Sequence, residues 1–132
     1  MRLATLRDGS RDGKLVVVSE DGSTCAHAPV ATLQQAIEDW ESIAPILGAI
    51  DEFNLPLVSS QCCAPLPRAW QWLDASAYPS HSQLMDKAMG TASSKEPRPL
   101  MYQGMSDTFY APYDDIPFVT EALGIDFEGE FG

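Results

Sequence analysis

The first 27 residues alternate between short apolar runs and turn residues, a pattern typical of a small antiparallel meander. Strands are predicted at residues 2–7, at the β-branched run 15–18 and at residues 24–27. The stretches between them, 8–13 and 21–22, contain Asp-Gly pairs, which favour tight turns. These residues are therefore expected to form one small β-sheet.

Helical spacing begins after Thr32, a residue type that caps helix N-termini. Apolar residues over 33–44 fall on one helical face, and a second amphipathic stretch covers 46–53. Pro45 stands between the two and is predicted to kink or divide the helix. Trp40 lies on the apolar face, so we expect it in the core.

The proline-rich stretch 54–67 is predicted to be an extended connector containing the domain boundary. We expect a β-rich N-terminal domain with one amphipathic helix at 1–63, and a second domain at 64–132. Together they make a mixed α+β fold. The elements predicted for the second domain are strands at 69–73 and 100–102, a helix at roughly 80–89 and a turn at 113–115.

Composition and charge exclude several classes of protein. The 132 residues carry a net charge of −11, with 8 Lys and Arg against 19 Asp and Glu, which argues against binding nucleic acid or an anionic membrane. No stretch has the apolar length of a membrane helix, and the N-terminus lacks the apolar core of a signal peptide. The three cysteines form no CxxC unit and indicate reduced thiols. A cytoplasmic location is therefore expected.

An acid and a histidine near a predicted strand end and helix start are the first candidates for chemistry. Asp74 follows directly at the end of the predicted strand, and His81 lies in the first turn of the predicted helix. A helix N-terminus disfavours imidazolium, and a neutral imidazole is what a general base requires. Taken alone, His81 is better interpreted as an exposed surface histidine on a helix. His27, which has no carboxylate near it in sequence, is interpreted as structural.

Two further segments carry polar groups at informative spacing. Tyr102 and Gln103 precede Gly104, which allows close backbone approach, so they can offer hydrogen bonds to a ligand. The alternative for this segment is an ordinary junction between a strand and a turn. Glu128 and Glu130 alternate with phenylalanines, so in a strand both carboxylates would share one face. Like charges placed this way repel unless a cation, usually a hard divalent metal, lies between them. The alternative is a solvated acidic tail.

In order along the chain, these pieces resemble the fumarylacetoacetate hydrolase family, in particular bacterial members with a small extra N-terminal domain. The resemblance covers essentially the whole chain, and each motif is modest alone but specific as an ordered set. The matching segments are MRLATLRDGSRDGKLVVV at 1–18, APLPRAWQW at 64–72, LMYQG at 100–104, DDIP at 114–117 and GIDFEGE at 124–130.

The resemblance implies a hydrolase that cleaves a carbon–carbon bond in a fumarylacetoacetate- or acylpyruvate-like 1,3-dicarbonyl acid. It implies Mg²⁺ or Ca²⁺ as cofactor, with Asp74, Glu128 and Glu130 as ligands and His81 as the catalytic base that activates water. Residues 64–132 would then begin the mainly β catalytic domain. A homodimer is a further expectation.

The resemblance also assigns substrate contacts to Tyr78, Tyr102 and Gln103, although Gln103 stands where relatives have His. Many relatives carry Glu three residues after the catalytic His, and here that position is Leu84. A further metal Asp and a Lys are expected beyond Glu130, so we expect the chain to be an N-terminal piece of such an enzyme and inactive alone. The alternative is a non-catalytic module that acts in folding or protein–protein interaction.

Overall fold

Two antiparallel sheets and three α-helices form the part of the chain that the computed structural model describes, residues 1–91, 99–125 and 129. The first sheet and two helices precede the second sheet and third helix. The strands are β1 Arg2–Leu6, β2 Lys14–Val18, β3 Thr24–His27, β4 Leu55–Pro56, β5 Leu73–Ser76 and β6 Leu100–Gln103. The α-helices are α1 Leu33–Glu38, α2 Trp40–Gly48 and α3 Pro79–Met89, and short 3₁₀ turns lie at Ser59–Gln61 and Glu121–Leu123. The mixed α+β prediction is confirmed.

The predicted meander is confirmed as strands β1, β2 and β3, paired in sequence order. The turn that joins β2 to β3 is closed by Asp21, whose carboxylate accepts hydrogen bonds from the Ser19 hydroxyl and from both the amide and the hydroxyl of Ser23. These three bonds hold the pKa of Asp21 at about 2, below its ordinary value of 3.8. Local turn chemistry thus explains why short strands pair here.

The segment predicted as a connector contributes a fourth strand. β4 pairs with β3 through Cys25 and Leu55, and the chain then crosses to the opposite edge of the sheet, where Cys62 pairs with Leu6 of β1. Val16 and Cys25 are completely buried on the side opposite the main core. This crossing segment explains how that second side is shielded from water. The predicted domain boundary between residues 63 and 64 stays a prediction.

Helices α1 and α2 pack on the first sheet and form the main core. Its fully or nearly fully buried members are Leu15 and Val17 of β2, Ala36 of α1 and Leu47 of α2. Thr32 caps α1 as predicted, because its hydroxyl accepts a hydrogen bond from the Gln35 amide. Burial of this apolar cluster supplies the main driving force for folding of the first sheet.

Three predictions about this helical region are wrong. The helix is interrupted at Asp39 rather than at Pro45, which lies within α2, and the helix ends at Gly48 rather than near residue 53. Trp40, expected in the core, is 42% exposed. The backbone of Asp39 leaves the helical region, with φ −130° and ψ 48°, so the helical phase that placed Trp40 on the core face is not continued.

In the second half of the chain, helix α3 and strand β6 lie within one residue of their predicted bounds, but the strand predicted at 69–73 does not. Strand β5 begins only at Leu73 and pairs antiparallel with β6. Asp74 therefore lies inside the strand, not at its end. The predicted turn is observed at 111–114, closed by the amide of Asp114 bonding to the Ala111 carbonyl. Within the described residues, every helix is too short or too polar to cross a membrane.

The two halves are joined by polar contacts around the β1–β2 turn. Arg68 forms a bidentate ion pair with Asp12, at 2.6 and 2.9 Å. This pair lowers the pKa of the Asp12 carboxyl. Arg7 pairs with Asp114, and Arg11 donates to the Asp107 carbonyl at 3.1 Å. The segment after β6 is thereby held against the first sheet.

Candidate functional site

The pairing of β5 with β6 brings three of the predicted site residues together. Asp74 stands directly opposite Tyr102, and Leu73 stands opposite Gln103. Residues that are directly opposite in an antiparallel ladder share one face, with Cβ atoms about 4.5–5.5 Å apart. Asp74 is half-buried as a residue, while Tyr102 is 64% exposed. Asp74 and Tyr102 therefore form a carboxylate–phenol pair at the surface of this small sheet, and Gln103 points to the other face.

Helix α3 places the other two described candidates in its first turn. Tyr78 is the N-cap residue and Pro79 the first helical residue, a position where proline costs no hydrogen bond. The His81 amide donates to the Tyr78 carbonyl at 3.0 Å, so backbone geometry fixes the spacing of the two side chains. Both side chains are exposed to solvent. Only two residues, Ala77 and Tyr78, separate β5 from α3. His81 thus stands close in sequence to the Asp74 strand and at the positive end of a helix dipole.

Trp72 and Gly104, which the sequence predictions did not place in the site, extend the Asp74–Tyr102 face by one pair. The Gly104 amide donates to the Trp72 carbonyl at 3.2 Å, continuing the ladder of β5 and β6. The rings of Trp72 and Tyr102 meet edge to face, with centroids 6.0 Å apart and an interplanar angle of 81°. Strand alternation carries the signal that identifies them: Trp72 is two residues before Asp74, and Gly104 is two after Tyr102.

The predicted metal ligands are divided between two parts of the chain. Asp74 is described, whereas Glu128 and Glu130 lie outside the described residues. Within residues 1–91, 99–125 and 129, no three His, Cys, Asp or Glu side chains are close enough together to hold a metal ion. These residues alone therefore do not make a cation site, and the three-carboxylate site stays a prediction.

A separate open cleft of about 380 Å³ lies where the β1–β2 turn meets the segment after β6. Its walls include Arg7, Arg11, Cys63, Asp107 and Asp114. The two arginines are engaged with Asp114 and with the Asp107 carbonyl, and burial raises the pKa of the Cys63 thiol. A thiol with a raised pKa is a poor nucleophile, so Cys63 is not a candidate nucleophile of this cleft.

Comparison with known protein families places the first half of the chain. Residues 1–68 match the family model described as fumarylacetoacetase N-terminal domain 2. The match spans the first sheet with its two helices and ends before β5, so it includes none of the candidate site residues. A search of curated proteins finds no match.

Proposed function

The chain belongs to the fumarylacetoacetase N-terminal domain 2 family, and we propose that it serves in metal-dependent hydrolysis of a carbon–carbon bond. The substrate would be a 1,3-dicarbonyl acid similar to fumarylacetoacetate or an acylpyruvate. The family match over residues 1–68 supports this reaction class.

The observation that carries the residue assignment is the register that sets Asp74 opposite Tyr102. A carboxylate and a phenol from segments far apart in sequence share one strand face, and the loop after β5 leads directly into the turn of α3 that contains His81. Reactive groups often lie at such junctions between strands and helices. The register therefore supports a site on this side of the β5–β6 sheet.

In the proposed reaction, His81 is the general base. Its neutral imidazole accepts a proton from water as the water oxygen bonds to a substrate carbonyl carbon. The bond between that carbon and the central carbon of the dicarbonyl then breaks, and the central carbon takes up a proton. For an acylpyruvate, the products are a carboxylic acid and pyruvate, so one water is consumed and no oxidant is required.

The proposed cofactor is Mg²⁺ or Ca²⁺, with Asp74, Glu128 and Glu130 as ligands. Three carboxylates suit a hard cation, which prefers oxygen ligands. When bound, the cation would polarise the two substrate oxygens and stabilise negative charge on the leaving group. The protein would hold the carboxylates of these three residues in place for the cation.

Tyr78, Tyr102 and Gln103 are proposed to contact the substrate through hydrogen bonds. Tyr102 offers a hydroxyl on the Asp74 face, and Tyr78 offers one beside the first turn of α3. Leu84, which replaces the acid that many relatives carry, is exposed and cannot orient the imidazole. The orientation of the His81 side chain must therefore be set by an acidic residue at another position, or by water.

The proposal is tested in a fusion of this chain to the remaining catalytic region of a family member, assayed with acetylpyruvate and Mg²⁺. His81→Ala should abolish turnover and leave Mg²⁺ affinity, measured by calorimetry, nearly unchanged. Glu128→Ala and Glu130→Ala should lose both, and Asp74→Ala should fall between them. Glu20→Ala, in an exposed turn of the first sheet, is the control and should change neither quantity. Full turnover by His81→Ala would rule out the assigned base.

A second candidate function, a non-catalytic module that binds another protein chain, is favoured by the exposed apolar side chains of residues 70–91 and 99–125. Val119 is 96% exposed, and Trp70 and Met105 are also largely exposed. Exposed apolar surface of this extent usually marks an interaction site. In this case a homodimer in the cytoplasm is the simplest assembly. Light scattering at several concentrations would test it: a strictly monomeric chain at every concentration contradicts self-association.

A further inference from the structure

Trp72 and Gly104 fit each other closely on the site face of the β5–β6 sheet. A Cβ atom added to Gly104 would lie 2.3 Å from Cε3 and 2.5 Å from Cζ3 of the Trp72 indole. Real carbon atoms do not approach this closely, so the indole occupies the space that any other residue at 104 would need for its side chain. Packing of an aromatic ring over a strand glycine is a known way to stabilise such a position.

The indole also contacts Tyr102, the next residue on the same face. The two rings are 6.0 Å apart at 81°, an edge-to-face arrangement that aromatic pairs prefer. Tyr102 is 64% exposed and Trp72 39% exposed, so most of the phenol ring meets solvent. The Trp72 ring is then a principal restraint on the orientation of this side chain.

We propose that Trp72 is a positioning residue: seated over Gly104, it holds the Tyr102 phenol in one orientation beside the Asp74 carboxylate. The inference rests on the proposed function, in which Tyr102 contacts a dicarbonyl acid. Trp72 itself need not touch the substrate. Its contribution is to fix the phenol before the substrate binds, which lowers the ordering cost of binding.

The orientation of Tyr102 can be measured in the full chain from the three-bond couplings that report its χ1 rotamer. One rotamer should dominate in the wild type, because the edge-to-face contact with the Trp72 ring is made by one orientation of the phenol. Trp72→Leu and Gly104→Ala should both spread Tyr102 over several rotamers, and Trp72→Phe should restore most of the preference. Trp70→Phe is the matched control, since the Trp70 indole contacts Glu38 instead. It should leave the couplings unchanged.

The effect on binding is measured by titrating acetylpyruvate, in the presence of Mg²⁺, into the same fusion protein that tests the proposed function. Trp72→Leu should raise the dissociation constant roughly two- to twelvefold, the range expected for loss of one edge-to-face pair, and Trp72→Phe should recover most of it. If Trp72 only stabilised the fold, Trp72→Leu would lower the thermal unfolding midpoint, but Trp72→Phe would not restore the affinity for acetylpyruvate.

The outcomes separate the two proposals. If Tyr102 has no preferred rotamer in the wild type, or keeps it in Trp72→Leu, the positioning role is overturned. If the rotamer depends on Trp72 as expected but the unsubstituted fusion binds no acetylpyruvate, the positioning of Tyr102 stands and the proposed function fails.

Discussion

The hydroxyl of Thr5 provides a direct test of how the first sheet is joined to the chain that follows it. Thr5 is 1% exposed, and its Oγ1 donates a hydrogen bond of 2.6 Å to the Pro65 carbonyl. Thr5→Val keeps a similar shape and removes this bond, whose net contribution is about 0.5–1.5 kcal/mol. Because the Pro65 carbonyl also loses its partner, we expect the free energy of unfolding to fall by about 1–2 kcal/mol.

Urea unfolding followed by circular dichroism measures this change. With a slope of about 2 kcal/mol per molar urea, the midpoint should fall by about 0.5–1 M. Thr24→Val is the matched control, also a strand threonine. Its hydroxyl makes no hydrogen bond among the described residues, so its midpoint should stay within about 0.25 M of the wild type. Equal stability of Thr5→Val and the wild type, or equal loss in both variants, would refute the role assigned to the Thr5–Pro65 bond.

The remaining predictions concern the core and the β2–β3 turn. Leu47→Ala should lower the free energy of unfolding by about 2–5 kcal/mol because Leu47 is completely buried, whereas Leu84→Ala, on an exposed face, should change it by less than about 0.5 kcal/mol. The pKa of Asp21 is lower in the folded chain than in the unfolded one, so its contribution to stability is complete above about pH 3.8 and lost as the pH falls towards 2. Stability measured across this range should therefore decline less steeply in Asp21→Asn, and an unchanged slope would contradict the assigned hydrogen bonds.

Elements specified by local sequence signals could be predicted. The meander follows from its Asp-Gly turns and β-branched runs, and α3 follows from Pro79 at its start and Gly90 at its end, where φ is +65°. The cap at Thr32 likewise requires only neighbouring residues. The family resemblance drawn from the opening residues agrees with the match over 1–68.

Elements that depend on distant partners could not be located from local patterns. The bounds of strand β5 are set by its pairing with β6, in which Leu73 is opposite Gln103. The residues before Leu73 contain no information about that partner strand. β4 forms because Leu55 meets Cys25 of β3. The prediction for Trp40 is wrong because it requires a continuous helical phase through Asp39, where the backbone leaves the helical region.

Prediction of the candidate site had a similar limit. The sequence predicts Asp74 and Tyr102 as candidate site residues in two separate segments. Only the observed register shows that they are opposite each other. Once that register is known, alternation along both strands identifies Trp72 and Gly104 as the neighbouring pair. Without that register, composition and motif spacing do not identify the contact between Trp72 and Gly104.

Sensitised terbium luminescence is the measurement that tests the proposed metal site most directly. Tb³⁺ prefers oxygen ligands, as Ca²⁺ does, and it emits when an excited indole lies nearby. If Asp74, Glu128 and Glu130 share one cation, the full chain should give saturable emission that Ca²⁺ or Mg²⁺ displaces. The emission should fall strongly in Glu130→Gln and in Trp72→Phe, but not in Trp70→Phe. Absence of sensitised emission, or emission that is insensitive to Glu130→Gln, would contradict a metal site on the Asp74 face.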